Sequence, residues 1–145
     1  QWHALGMFVP SFFTGHLIAR FGVVNILLAG TVLIAGCIAV NLSGISLVHF
    51  WLSLFLVGLG WNFLYIGSTS LLTESYRPEE RAKAQGLNDT LVFGLVAVTT
   101  FSSGWLQSRF GWEAVNLAGV APVAAVALAL LWLRRQRLVP AATPA

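Results

Sequence analysis

Uncharged apolar stretches divide the chain into five segments, each about as long as a membrane-spanning helix. They cover residues 1–20, 23–43, 48–74, 84–108 and 112–133, and most charged residues lie between them. A helix needs about 20 apolar residues to cross the hydrocarbon core, whereas membrane β-barrel strands are about ten residues long and alternate in polarity. The pattern predicts an all-α bundle of five transmembrane helices over residues 1–138, followed by a tail over residues 139–145.

The composition excludes a soluble protein. Apolar residues make up 57% of the chain and charged residues 9%, whereas soluble domains carry about 25% charged residues. A small soluble domain buries only about two-thirds of the surface that its unfolded chain exposes. A soluble enzyme and a nucleic-acid-binding domain are therefore excluded, despite a sequence pI of about 9.8. Because the chain begins with Gln1 in apolar sequence, we interpret it as a segment of a longer protein.

The basic residues predict one orientation in the membrane. Successive spans alternate in direction, so the connections alternate between the two sides of the bilayer. One side carries only Arg109, and the other carries Arg20, Arg77, Arg81, Lys83, Arg134, Arg135 and Arg137. Basic connections stay on the cytoplasmic side. We therefore expect an integral protein of the cell inner or plasma membrane, with a cytoplasmic C-terminus and Gln1 outside.

Polar side chains are concentrated in the first, third and fourth spans, whereas the second and fifth are almost wholly apolar. Polar groups at membrane depth face partner helices or a water-filled cavity, so these three spans are predicted to line a cavity. Pro10 is expected to kink the first span. Small residues at four-residue spacing, such as Gly15 and Ala19 or Gly86, Thr90 and Gly94, predict close helix packing.

Five residues are candidates for lining that cavity. Asn62 and Tyr65 share a face of the third span, and Thr69 follows one turn later. They are interpreted either as substrate contacts or as interhelical hydrogen-bonding groups. Asn88 and Asp89 occupy the fourth span, where Asp89 is interpreted either as a carboxylate near the inner membrane surface or as part of a proton relay.

Catalytic and metal sites are not predicted. His3 and His49 belong to the outer side and His16 to the inner side, so the three cannot readily share a metal ion. The sequence contains no hydrolase elbow, zinc-protease motif or phosphate-binding glycine loop. No catalytic residue, metal ligand or cofactor is assigned. An intramembrane enzyme would need a cluster of titratable groups, and Asp89 is the only acid within the apolar part of a predicted helix.

The segment from Gly15 through Arg20 to Gly22 resembles the cytoplasmic loop signature of the major facilitator superfamily. The segment from Gly58 through Glu74 to Gly86 is similar to that family's tenth helix and following loop. The resemblance covers essentially the whole chain and implies that it corresponds to helices eight to twelve. It also implies that helices eight, ten and eleven line a cavity, which agrees with the polarity ranking. Ala19, Val23 and Val24 depart from the signature.

The resemblance further implies a cytoplasmic gate. In the sugar-porter branch of the family, an acid ends the tenth helix, an arginine follows seven residues later, and these residues form a charged cluster with an arginine of the loop signature. Glu74, Arg81 and Arg20 match those positions. They are predicted to tether helix ends in one transport state; the alternative is unrelated surface charge, which contributes under about 1 kcal/mol per pair.

By this resemblance the chain is the C-terminal part of a secondary active transporter that moves a small solute by alternating access, with proton coupling left open. Its implied partners are the solute, the lipid bilayer and the N-terminal half, because substrates of the family bind between two halves. The alternative function is a stand-alone five-helix membrane protein that acts as an assembly partner or subunit.

Overall fold

A computed structural model describes residues 2–138, and nearly all of these residues are helical. The helices are α1 (Trp2–Phe8), α2 (Ser11–Phe21), α3 (Val23–Ser43), α4 (Leu47–Leu72), α5 (Arg81–Ala118) and α6 (Val120–Leu138). Two short 3-10 turns, Thr73–Ser75 and Pro78–Glu80, connect α4 to α5. The predictions for Gln1 and for a tail over residues 139–145 lie outside the described residues.

Three segments are long and apolar enough to cross a membrane: Val23–Ser43, Leu47–Ser75 and Pro78–Leu138. The last has 61 residues, or about 90 Å of helix at 1.5 Å per residue, about three times the hydrocarbon thickness. It reverses at Gly111, whose φ of 81° is a backbone conformation that glycine adopts at little cost. This segment therefore accounts for two of the five predicted crossings.

The fold-back at Gly111 is held by an asparagine pair. Asn41 of α3 donates from Nδ2 to Asn116 Oδ1 at 2.9 Å, and Trp112 Nε1 donates to the Asn41 carbonyl at 3.1 Å. At the other end of α3, Val24 and Leu27 pack with Leu130 of α6. The segment after Gly111 therefore runs antiparallel to α3.

The first predicted span is broken at Pro10. Because proline has no N–H to donate, α1 ends at Phe8 and α2 begins at Ser11. The two parts still form one crossing parallel to α4, since Gly6 approaches Gly58 and Thr14 bonds to Asn62. With this crossing the described chain is an all-α membrane bundle of five spans, and the predicted fold class is confirmed.

Glycines on α4 allow the closest helix approaches. A methyl group added at Gly60 would lie 3.1 Å from the Gly30 carbonyl oxygen of α3. One added at Gly58 would overlap the His3 carbonyl oxygen and lie 3.2 Å from Gly6 Cα. By contrast, Gly15, Gly86 and Gly94 of the predicted small-residue stripes have no such neighbour within 4 Å. Among the described residues, those glycines do not mediate close packing.

Substituting Gly58 with alanine is expected to destabilise the bundle by about 1–3 kcal/mol, because an overpacked methyl group must displace backbone rather than a flexible side chain. The control is Gly36→Ala in α3, where the added methyl group would meet only Leu56 at 3.8 Å. Thermal unfolding in detergent should show a lower Tm for Gly58→Ala alone. Equal Tm values for both variants would contradict the close approach of α1 to α4.

Candidate substrate cavity

A cavity of about 360 Å³ opens between α1, α2, α4 and α5. We refer to it as the aromatic cavity. Its lining residues are Met7, Phe8, Ser11, Trp61, Asn62, Tyr65, Ile66 and Phe93. The cavity joins the first, third and fourth predicted spans, the three that carry most of the polar side chains.

Aromatic rings form one wall of this cavity. Trp61 and Tyr65 are four residues apart on α4, so helical geometry places them on the same face. Their ring planes are within 7° of parallel, and their centroids are 6.1 Å apart. Phe93 of α5 meets the Tyr65 ring at a centroid distance of 6.2 Å and an angle of 53°. The wall offers flat apolar surfaces against which a planar solute can stack.

Asn62 connects α4 to both parts of the broken first span. Its Nδ2 donates to the Met7 carbonyl oxygen and to Ser11 Oγ, each at 2.6 Å. Its Oδ1 lies 2.6 Å from Thr14 Oγ1, whose single proton is shared with the Pro10 carbonyl oxygen. The residue is only 3% exposed. The structure therefore gives Asn62 the interhelical hydrogen-bonding role that was one of the two alternatives.

Tyr65 connects α4 to α5. Its hydroxyl donates to Asp89 Oδ1 at 3.2 Å, and Asn88 Nδ2 donates to the same oxygen at 3.3 Å. The structure thus brings Tyr65, Asn88 and Asp89 together. Two of these residues, Tyr65 and Asp89, meet directly across the α4–α5 interface.

A second cavity, of about 460 Å³, lies further along α4 toward its connection with α5. We refer to it as the polar cavity. Its lining residues are Tyr65, Ile66, Thr69, Ser70, Thr73, Arg81 and Gln85. Thr69, the remaining candidate from the sequence, therefore lines a different cavity from Asn62.

The predicted gate residues are not brought together in this structure. Within residues 2–138, the ion pair of Glu74 is with Arg137 at the end of α6, and neither Arg20 nor Arg81 pairs with it. Glu74 thus has a partner here that the sequence prediction did not include, and the tether to Arg20 and Arg81 in one transport state stays a prediction. The physical reason for the Arg137 partner is that α6 ends beside the C-terminus of α4, which resemblance to a loop signature does not reveal.

The loop-signature residues form a tight connection between α2 and α3. Gly22 adopts a φ of 83°, and its N–H donates to the Ile18 carbonyl oxygen, which ends α2. The Arg20 guanidinium lies 5.3 Å from the centroid of the Phe21 ring, a cation–π distance. Gly15 precedes this turn on α2 and has open space beside it.

Within the described part of the chain, no group of three or more His, Cys, Asp or Glu residues could hold a metal ion. The side chains that line the two cavities offer aromatic surfaces for stacking and polar groups for hydrogen bonds. Sequence reasoning did not single out Trp61 or Phe93 as site residues. The four-residue spacing of Trp61 and Tyr65 was a usable signal, whereas the approach of Phe93 depends on how α5 packs.

Replacing Asn62 with alanine is expected to lower the stability of the bundle by about 1–3 kcal/mol, because Met7, Ser11 and Thr14 each lose a hydrogen-bond partner. Asn25→Ala is the matched control, since exposed Asn25 bonds only to the Phe21 carbonyl of the preceding turn. Thermal unfolding of the detergent-extracted protein measures the effect. An unchanged Tm for Asn62→Ala would contradict the structural role assigned to Asn62.

Family comparison agrees with the membrane bundle. Residues 2–145 match the family model of the Major Facilitator Superfamily, and the chain belongs to this family of membrane transporters.

Among curated relatives, the chain is 48% identical over 134 residues to the riboflavin transporter RfnT of Brucella anthropi, which covers 92% of the chain and 33% of the relative. It is 35% identical over 120 residues to the uncharacterised transporter YdeG of Bacillus subtilis, covering 81% of the chain and 28% of the relative. It is also 31% identical over 136 residues to YddS of the same organism, covering 92% and 31%. The chain thus spans about a third of the length of these relatives. No solved structure matches it.

Proposed function

We propose that this chain forms the last five helices of a secondary transporter that moves a small solute by alternating access. The family match supports the transporter class. The coverage of one third of each curated relative supports an arrangement in which an N-terminal half supplies the opposite wall of the cavity. The bias of basic residues supports a cytoplasmic C-terminus.

Riboflavin is the proposed solute. RfnT carries that substrate in its name and is 48% identical to the chain. The observation that carries the proposal is the Trp61–Tyr65 pair, because its nearly parallel rings line the aromatic cavity. Riboflavin has a planar three-ring system, and planar rings bind aromatic side chains by stacking. The cavity volume of about 360 Å³ is within the usual range for small-molecule sites.

The charged residues at the cytoplasmic ends of α4 and α6 are proposed to act as an exchangeable gate. In this structure Glu74 pairs with Arg137. Arg20 and Arg81 would become its partners in another transport state, as the family resemblance implies. Both current partners are partly exposed, and exposed ion pairs contribute under about 1 kcal/mol, so exchange costs little.

Proton coupling is proposed to involve Asp89, the acid that lies within the apolar part of α5. Its carboxylate accepts from Tyr65 at the cavity wall, so protonation would weaken a contact between α4 and α5. Carboxylates inside membrane bundles commonly mark proton pathways.

Transplanting this chain tests the proposed function. A chimera in which residues 5–138 replace the matching third of RfnT is expected to restore growth of a riboflavin auxotroph that lacks its own uptake system, and to take up labelled riboflavin. We expect riboflavin uptake because the transplanted chain would supply all the residues of one wall of the cavity. The comparison is a second chimera, in which the matching third of YdeG replaces the same part of RfnT. A chimera that reaches the membrane in normal amounts but takes up no riboflavin would contradict the proposal.

Replacing Trp61 with leucine in the chimera is expected to raise the KM for riboflavin about 2- to 10-fold, because one stacking contact contributes about 0.5–1.5 kcal/mol. Trp132→Leu is the matched control, since Trp132 is exposed on α6 and lines neither cavity. Uptake kinetics measured at equal protein levels give the comparison. Equal KM values for the two variants would exclude Trp61 from the binding site.

A further inference from the structure

The aromatic and polar cavities lie end to end along α4. Both are lined by Tyr65 and Ile66, so these two residues form their shared boundary. From Trp61 to Thr69 the helix advances eight residues, or about 12 Å at 1.5 Å per residue. The two cavities together therefore extend over a length similar to that of a solute that combines a ring system with a side chain.

The two cavities differ in chemistry. One wall of the aromatic cavity is made of Trp61, Tyr65 and Phe93. Six of the seven residues that line the polar cavity carry a hydroxyl, guanidinium or amide group, and Ile66 is the exception. The change from ring surfaces to hydrogen-bonding groups occurs at Tyr65, whose hydroxyl is held by Asp89.

Thr69 of the polar cavity has an unusual hydroxyl group. Its Oγ1 is buried, and within residues 2–138 it has no hydrogen-bond partner. Other threonines of the bundle bond to carbonyls of their own helix, including Thr31, Thr90 and Thr100. A buried unpaired hydroxyl costs about 1–3 kcal/mol. Because threonine occupies two side-chain rotamers in a helix, this hydroxyl can turn toward the cavity and bond to a solute there.

We propose that the two cavities form one divided binding site for a planar ring that carries a hydroxylated chain. The ring stacks in the aromatic cavity, and the chain passes Tyr65 into the polar cavity, where Thr69 and Arg81 bind its hydroxyl groups. This inference rests on the proposed function, since riboflavin combines a flat ring system with a polyhydroxylated chain. It adds the orientation of the solute, with its chain directed toward the α4–α5 connection.

Lumiflavin separates the two parts of the site, because it has the ring system of riboflavin and a methyl group in place of the chain. In the RfnT chimera, Thr69→Val is expected to raise the riboflavin KM about 3- to 10-fold, the usual effect of losing one hydrogen bond. The concentration of lumiflavin that half-inhibits uptake should remain the same. Trp61→Leu should weaken the binding of both ligands, so it should raise both the riboflavin KM and the half-inhibiting concentration of lumiflavin.

Two further variants control for folding and for the hydroxyl itself. Thr69→Ser keeps the hydroxyl and should restore the riboflavin KM. Thr31→Val removes a hydroxyl that bonds only to the Leu27 carbonyl of its own helix, and should leave both ligands unaffected. If Thr69→Val weakens the binding of riboflavin and of lumiflavin equally, or weakens the binding of neither, the divided site is wrong, although the proposal of riboflavin transport stands. If the unmodified chimera transports no riboflavin, the proposed function fails and the divided site fails with it.

Discussion

The arrangement of this bundle depends on one requirement: a backbone carbonyl inside a bilayer needs a hydrogen-bond donor. Pro10 interrupts the first span, and the Met7 carbonyl accepts from Asn62 of α4 at 2.6 Å. Asn62 thus supplies a donor from α4 to a carbonyl beside the break, in addition to the Ser11 hydroxyl of the same span. Glycines at positions 6 and 58 allow the backbones to approach closely enough for this bond. Gly6 and Pro10 thus act together with Gly58 and Asn62, although the two pairs are 52 residues apart in the sequence.

The same bond determines where the candidate site lies. When the Asn62 amide is fixed against α1 and α2, the helical repeat places Trp61 and Tyr65 together on one adjoining side of α4. That side faces α5, where Phe93 and Asp89 contact Tyr65. Asn62 therefore orients the aromatic wall of the cavity that it also lines.

The sequence was sufficient to predict the number of crossings and their alternation, because lipid forces charged residues to the ends of helices. It also indicated the polar spans and the break at Pro10. It could not predict that Gly30 and Gly60 meet while Gly15 and Gly94 have open space beside them, because the four-residue spacing singled out Gly15 and Gly94 and not Gly30 or Gly60. Nor could it assign Arg137 to Glu74. Both results depend on which helices become neighbours, and local pattern carries little information about that.

The polar groups of α5 complete the physical picture. Thr90, Thr99, Thr100 and Ser102 are exposed, yet each hydroxyl bonds to a carbonyl of its own helix. Such a surface loses no hydrogen bond when a neighbour slides along it, since every donor is already satisfied. Asn62 has the opposite property, because moving α1 would break its bonds to Met7, Ser11 and Thr14. We therefore expect α1, α2 and α4 to move as one body, whereas the exposed hydroxyl groups between Thr90 and Ser102 provide a surface along which a neighbour can slide without breaking their hydrogen bonds.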